Sequence, residues 1–177
     1  MKKFFVPILL IIITSTAFTL VNTTITRSAI TFQIKNLGIN TGGTIGGLQA
    51  DAHFNPANLT SSTIDASVDV NTINTDNSTR DEHLKSDEFF DAANHPKITL
   101  KSLSFKHKSG DKYTGQFNLT IKGKTKLVEI PFTYTEKDNT SAFKGSFKLN
   151  RLDFGIGGNS LTMSDEVIVG IDVDGAK

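Results

Sequence analysis

The chain alternates apolar and polar residues in segment after segment, and that period of two predicts strands with one wet face. Ile30, Phe32 and Ile34 share a face against Thr31, Gln33 and Lys35. Ile64, Ala66, Val68 and Val70 do the same between Thr63 and Asn71. Further along, Tyr113, Gly115, Phe117, Leu119 and Ile121 keep one phase, followed by a turn at Gly123 and by Val128, Ile130, Phe132 and Tyr134. Phe143, Gly145, Phe147 and Leu149 form the next segment, and Val167, Val169, Ile171 and Val173 the last. Alternation this regular belongs to antiparallel sheets.

Two segments depart from it. Between Lys97 and Lys106, Ile98 and Leu100 hold one phase while Leu103 and Phe105 hold the other, which predicts a β-bulge near Ser102. The stretch Gly38–Phe54 carries Gly42, Gly43, Gly46 and Gly47, then Leu48, Ala50, Ala52 and Phe54 on one face. No helical pattern and no Gly-Lys-Ser/Thr follows, so the glycines read as a strand bending sharply at a barrel corner rather than as a phosphate loop. The sum is an all-β chain of about eight antiparallel strands. Closing them into a barrel removes both exposed edges; a two-sheet sandwich is the alternative.

One stretch, Thr79–Asp91 or TRDEHLKSDEFFD, breaks the alternation. Thr79-x-x-Glu82 has the form of a capping box, Asp81 and Glu82 suit a helix N-terminus, and Ser86-Asp87-Glu88 repeats the device for a second short turn ending at Pro96. Leu84, Phe89 and Phe90 are its large apolar groups, and the unit reads as a helical lid over one end of the barrel. His83 beside Asp81, Glu82 and Asp87, with Ser78 and Ser86 close by, offers the elements of catalysis, but no nucleophile elbow occurs and a triad needs geometry, not neighbours. His83, Asp87 and His95 have metal-ligand chemistry without HExxH spacing or a compact contribution from His53 or His107. The sequence therefore assigns no catalytic residue, no metal and no cofactor.

Composition narrows the class. Lys2 and Lys3, the apolar run Phe4–Ile13 and the small residues Thr14–Ala17 follow the order of a secretory signal peptide, with cleavage expected after Ala17 and a retained anchor as the alternative. Residues 18–177 then make a single domain. The two lysines leave with the signal, so 17 basic residues face 18 acidic ones, and nothing attracts nucleic acid or an anionic membrane through bulk charge. With no cysteine, the exported chain relies on its core and cannot be a Cys-anchored lipoprotein. The destination is the periplasm in a diderm bacterium and the exterior otherwise. The five Asn-x-Ser/Thr sequons at Asn22, Asn58, Asn77, Asn118 and Asn139 matter only in a eukaryotic secretory pathway.

Ten phenylalanines fall between Phe32 and Phe154, most of the strand ones on the apolar face, mixed there with Ala50, Ala52, Gly115 and Gly145. Periodicity leaves two readings open: an interior filled by side chains, or one holding a small hydrophobic ligand.

The run RDEHLKSDEFFDAANHPKITLKS resembles the Arg-Asp-x-His-Leu, Phe-Phe-Asp and Pro-x-Ile segment of the YceI-like proteins, which are exported bacterial polyisoprenoid-binding proteins with a lipocalin-like barrel. The resemblance extends through SAITFQIKNLGI, GQFNLTIKGKTKLVEIPF and LNRLDFGIG followed by SDEVIVGIDVDG, and covers residues 28 to 175. Arg80, Asp81, His83 and Leu84 match the helical motif, with Phe89, Phe90 and Asp91; Arg151, Asp153, Phe154 and Gly155 match an Arg-x-Asp-Phe-Gly turn. The resemblance implies a lipocalin-like barrel with an apolar tunnel for a long isoprenoid or amphipathic lipid, and no catalysis. Ligand-facing residues expected on these combined grounds are Phe32, Phe54, Val68, Arg80, His83, Leu84, Phe89, Phe90, Phe117, Leu119, Phe132, Phe147 and Phe154. The competing expectation is an enzyme of the same barrel class, with Arg80, Asp81 and His83 acting on the lipid's polar end. Asn36 stands where the family often has histidine, NTTITR replaces its aromatic-x-Ile-Asp-Pro opening, and Lys126-Leu127-Val128 replaces Lys-Pro-Val; the first two are expected to alter the mouth and the head group accepted. Membrane contact is expected to be transient or through a retained N-terminal segment, and a dimer is left open.

Overall fold

A computed structural model describes residues 24–176; the segment 1–17, read above as a signal peptide, lies outside them. Nine strands appear: β1 (Thr24–Asn36), β2 (Ile39–Ile45), β3 (Gln49–His53), β4 (Thr63–Asp69), β5 (Lys97–Ser109), β6 (Lys112–Ile121), β7 (Lys124–Lys137), β8 (Thr140–Asn150) and β9 (Met163–Ala176). They form one curled antiparallel sheet in the order β2-β1-β9-β8-β7-β6-β5-β4-β3. The count exceeds eight because the glycine-rich stretch is two strands and not one. β2 pairs with β1, β3 pairs with β4, and the break between them falls at Gly46–Leu48.

That break closes the barrel. Ladder hydrogen bonds are lost across it, yet the chain itself spans the gap, and local bonds tie it to the end of β4. Asp69 N–H donates to the Gly46 carbonyl at 3.0 Å, and Gly46 N–H donates to Thr72 Oγ1 at 2.7 Å. Thr44 and Asn74 then exchange backbone bonds of 2.9 and 3.0 Å. Gly47 has φ +66°, and a Cβ there would lie 2.9 Å from that of Asp69, so both conformation and proximity demand glycine.

The predicted bulge sits in β5. Its register against β6 slips between Ser102 and Ser104, and Leu103, the extra residue, is turned outward. Phe105 regains the inner face and is buried. Leu103 therefore does not share the interior with Phe105, because a bulge inserts one residue without a partner.

The helix α1 (Ser78–Lys85) differs from its expected start. Its N-cap is Asn77, whose side-chain oxygen accepts from Arg80 N–H at 3.0 Å; Thr79 lies inside the first turn. Asp81 does occupy that turn, but its carboxylate reaches out of the helix to Thr75. Ser86 opens no second helix. It is the C-cap of α1, its hydroxyl donating to the His83 carbonyl at 2.7 Å, and residues 87–90 form a turn returning toward Pro96.

One end of the barrel is plugged by rings. Phe54 sits edge-on to Tyr134, Tyr113, Phe105, Phe132 and Phe143, with centroids 4.8, 5.1, 5.3, 5.5 and 5.7 Å away. Each such pair is worth about 0.5–1.5 kcal/mol beyond its buried area, so this end is held tightly. The Tyr134 hydroxyl donates to Glu136 at 2.8 Å; burial first, and then that bond, push its phenol above the ordinary range, so it stays neutral at physiological pH.

Candidate ligand cavity

The inner faces of the strands do not meet everywhere. A cavity of about 180 Å³ lies beyond the ring plug, walled by Leu48, Ala50 and Ala52, by Ile64 and Ala66, and by Phe117, Phe132 and Ile171. A second of about 150 Å³ lies toward α1, walled by Phe32, Ile34, Ile45, Leu149 and Met163 and closed by Leu84, Phe89 and Phe90. Ile30, Val68, Ile98, Leu119, Phe147 and Val169 line both. The two hollows are thus adjoining chambers separated at a waist of six apolar side chains.

The room comes from small residues placed on the inner face. Ala50 and Ala66 are cross-strand partners in β3 and β4, and Ala52 is the next inward residue of β3, so three adjoining inward positions on this wall carry only methyl groups. Gly145 also borders the larger chamber. Gly115, read from the sequence as another space-maker, is different: the Phe117 ring occupies the space its Cβ would need, and Phe105 lies close behind.

The segment over the smaller chamber is fixed from outside. The Lys122 ammonium donates to the carbonyls of Asp87 at 2.6 Å, Glu88 at 3.4 Å and Gly155 at 3.1 Å, and Gly157 N–H donates to the Glu88 carbonyl at 2.9 Å. Gly157 has φ +62°, and a Cβ there would press on the Phe89 ring at 3.1 Å. Three carbonyls around one cation make a latch between the lid and the β6–β7 turn. Lys122→Met is expected to weaken it by about 1 kcal/mol. Amide hydrogen exchange should then speed up roughly fivefold at Gly157, with strand amides in β6 and β9 unchanged; unchanged Gly157 exchange would show that the packing of Phe89 and Phe90 alone holds the lid.

The thirteen residues singled out from the sequence fall into two groups. Phe32, Leu84, Phe89 and Phe90 wall the lid-side chamber, Phe117 and Phe132 the larger one, and Val68, Leu119 and Phe147 the waist. The other four line neither. Phe54 is the centre of the ring plug, and Phe154 is buried in the short 3-10 turn Arg151–Phe154. Arg80 turns away from the interior, its Nε donating to Thr75 Oγ1 at 2.8 Å and its Nη2 to the Thr75 carbonyl at 2.6 Å. His83 is exposed, 3.2 Å from Glu88 through Nε2, with its ring edge-on to Phe89 at 4.8 Å.

Asp81 shares the fate of Arg80. Its Oδ1 accepts from Thr75 N–H at 2.9 Å and from Thr75 Oγ1 at 2.5 Å. Arg80 and Asp81 together therefore grip Thr75, fastening α1 to the segment that closes the sheet, while His83 points to Glu88. The three do not converge on a common reacting centre. Among the described residues no group of three or more His, Cys, Asp and Glu side chains is placed to hold a metal ion.

Sequence reasoning named Arg151 in the turn motif but did not place it at the site. It is 2% exposed and yet borders the lid-side chamber. Its Nε donates to the Ser164 carbonyl at 3.0 Å, Nη1 to those of Ile156 and Gly158 at 2.9 Å each, and Nη2 to Asp165 at 2.9 Å. One guanidinium thus folds the loop 156–165 against the chamber and sets Ile156 and Met163 in its wall. The signal available was the Arg-x-Asp-Phe-Gly turn, which marks the residue without saying that it is buried.

Comparison with known proteins agrees with this architecture. The YceI-like domain model matches residues 21–174. A UPF0312 protein of Vibrio cholerae is 27% identical over 137 residues, 73% of this chain and 72% of its own. Among solved structures, Burkholderia cenocepacia BcnA superposes with a TM-score of 0.79 at 24% identity, covering 83% of this chain and 95% of that one. A polyisoprenoid binding domain from Saccharophagus degradans, implicated in plant cell wall breakdown, gives a TM-score of 0.66 at 13% identity, covering 88% and 97%. With the family model spanning nearly all of the described barrel, the chain belongs to the YceI-like family.

Proposed function

We propose that this protein is an exported carrier that takes up a long isoprenoid-type or other amphipathic lipid in its barrel. The observation that carries the reading is the pair of adjoining chambers, whose walls are almost wholly hydrocarbon and which share six apolar lining residues. Dry apolar space favours a hydrocarbon chain by roughly 0.8 kcal/mol per buried methylene, and an elongated pair of chambers suits a chain better than a compact ligand. The family, and a fold relative described as a polyisoprenoid binding domain, point the same way. The N-terminal Lys-Lys and apolar run support export, to the periplasm in a diderm host.

The barrel does the work by exclusion. The ring plug seals one end, the latched lid covers the other, and a hydrocarbon tail would lie between them with its polar end toward Leu84 and Phe89. A transfer assay tests this: with a fluorescent polyprenol in donor vesicles, catalytic amounts of protein should speed its appearance in acceptor vesicles. His83→Ala should leave that transfer intact, because the imidazole faces Glu88 and not the chamber. No acceleration, together with no stoichiometric uptake of the probe, would overturn the proposal.

A further inference from the structure

Two loops beside the lid expose large apolar side chains with no partner in the fold. Leu37 is 74% exposed and Ile39 70%, at the β1–β2 turn; Leu161, in the loop before β9, is fully exposed. The loops are tied side by side, since Leu37 N–H donates to the Thr162 carbonyl at 2.8 Å. Leu37 also has φ +51° ahead of Gly38 at φ +78°, the pair of left-handed positions at which a hairpin turn prefers Asn-Gly. A branched apolar residue there is unfavourable for the turn and, being exposed, recovers nothing from packing. Such conflict between local rule and sequence points to use outside the fold.

The surroundings identify the partner. No ionisable residue occurs in 36–50 or in 154–164, so both tips can leave water without desolvating a charge. The charges that bound these stretches are Lys35, which is exposed and pairs across the hairpin with Asn40, and Asp51 in β3 for the first, and Asp153 and Asp165, the latter held by Arg151, for the second. The pattern is an uncharged apolar tip with a lysine one step behind it, at the height where a phosphate would lie. The tips also stand on the rim of the lid-side chamber: Asn36 pairs with Met163, and Gly157 of the same loop bonds to Glu88 of the lid. Ligand leaving a bilayer here would enter the chamber without crossing water.

We infer that Leu37, Ile39 and Leu161 form a docking tip that inserts into a phospholipid bilayer and sets the lid-side mouth against the lipid surface. The inference rests on the carrier reading and names its partner surface.

The absence of cysteine allows a direct test. In the full chain as its host produces it, Leu161→Cys carries an environment-sensitive fluorophore, with Leu127→Cys, an exposed leucine on β7, as the control. Phosphatidylcholine vesicles should blue-shift the label at 161 and leave that at 127 unchanged. The triple variant Leu37→Asn, Ile39→Asn, Leu161→Ser should lower vesicle partitioning at least tenfold; Leu37→Asn suits the turn, so folding is preserved. A label at 161 that remains in water while the protein still carries copurified lipid overturns the docking tip and leaves the carrier reading standing. Loss of copurified lipid in the unaltered protein defeats the carrier reading instead. A blue shift without vesicles that grows with protein concentration and accompanies a doubled mass would assign the tip to a second copy of the chain, overturning the inference.

Discussion

Replacing Ala50 and Ala66 together by phenylalanine is expected to cut lipid affinity about a hundredfold while the protein stays folded. The two are cross-strand partners facing the larger chamber, so two rings introduced there would occupy adjoining space. Excluding about four methylenes of a ligand forfeits roughly 3 kcal/mol, which is near two orders of magnitude in Kd. Because the rings enter open space and not a close-packed core, the stability change should stay within about 1 kcal/mol. Titration with a fluorescent polyprenol, beside urea unfolding of the same variant, separates the effects. Unchanged affinity in a folded variant would mean that ligand does not enter this chamber.

The second large effect concerns stability. Arg151→Leu should destabilise the fold by about 3–5 kcal/mol, since it removes a buried cation from three carbonyls and a carboxylate in one step. Against a typical total of about 5–15 kcal/mol this is a severe loss, and it should lower the urea midpoint by roughly 2 M. Asp165→Asn should cost far less, about 1 kcal/mol, because that carboxylate is half-exposed and the carbonyl bonds survive. Equal losses in the two variants would show that the ion pair, rather than the loop carbonyls, is what Arg151 supplies.

How legible this was in the sequence differs by level. The strands were visible because a sheet that is wet outside and apolar inside writes a period of two into the chain, and the phase slip between Leu100 and Leu103 marked the bulge in β5. The closure at Gly46–Leu48 was visible only as a bend, since the bonds that complete it come from Asp69, Thr72 and Asn74, far along the chain. Helix capping misled: Thr79-x-x-Glu82 and Asn77 are both legitimate starts, and tertiary contact decided, drawing Asp81 to Thr75 and leaving Asn77 as the cap.

The site was less legible than the fold. Alternation says which side chains point inward but not how far opposite walls stand apart, so Phe117 on a chamber and Phe54 in a plug look alike. Leucine and isoleucine at the waist, such as Leu119 and Ile98, carry no special pattern. Charges misdirect in the opposite sense. The crowded stretch around His83 draws the eye, though its charges grip Thr75, pair with one another or face solvent, whereas the buried Arg151 stands in a short turn that carries no such crowding.

The central claim is that the barrel is hollow in order to hold lipid. Native mass spectrometry of the chain purified from its own host, followed by organic extraction, tests it most directly. A bound adduct released into the organic phase as a long-chain isoprenoid or amphipathic lipid, and absent from the Ala50→Phe, Ala66→Phe variant, is the expected result. Repeated recovery of the bare polypeptide mass, with no extractable lipid, would contradict it.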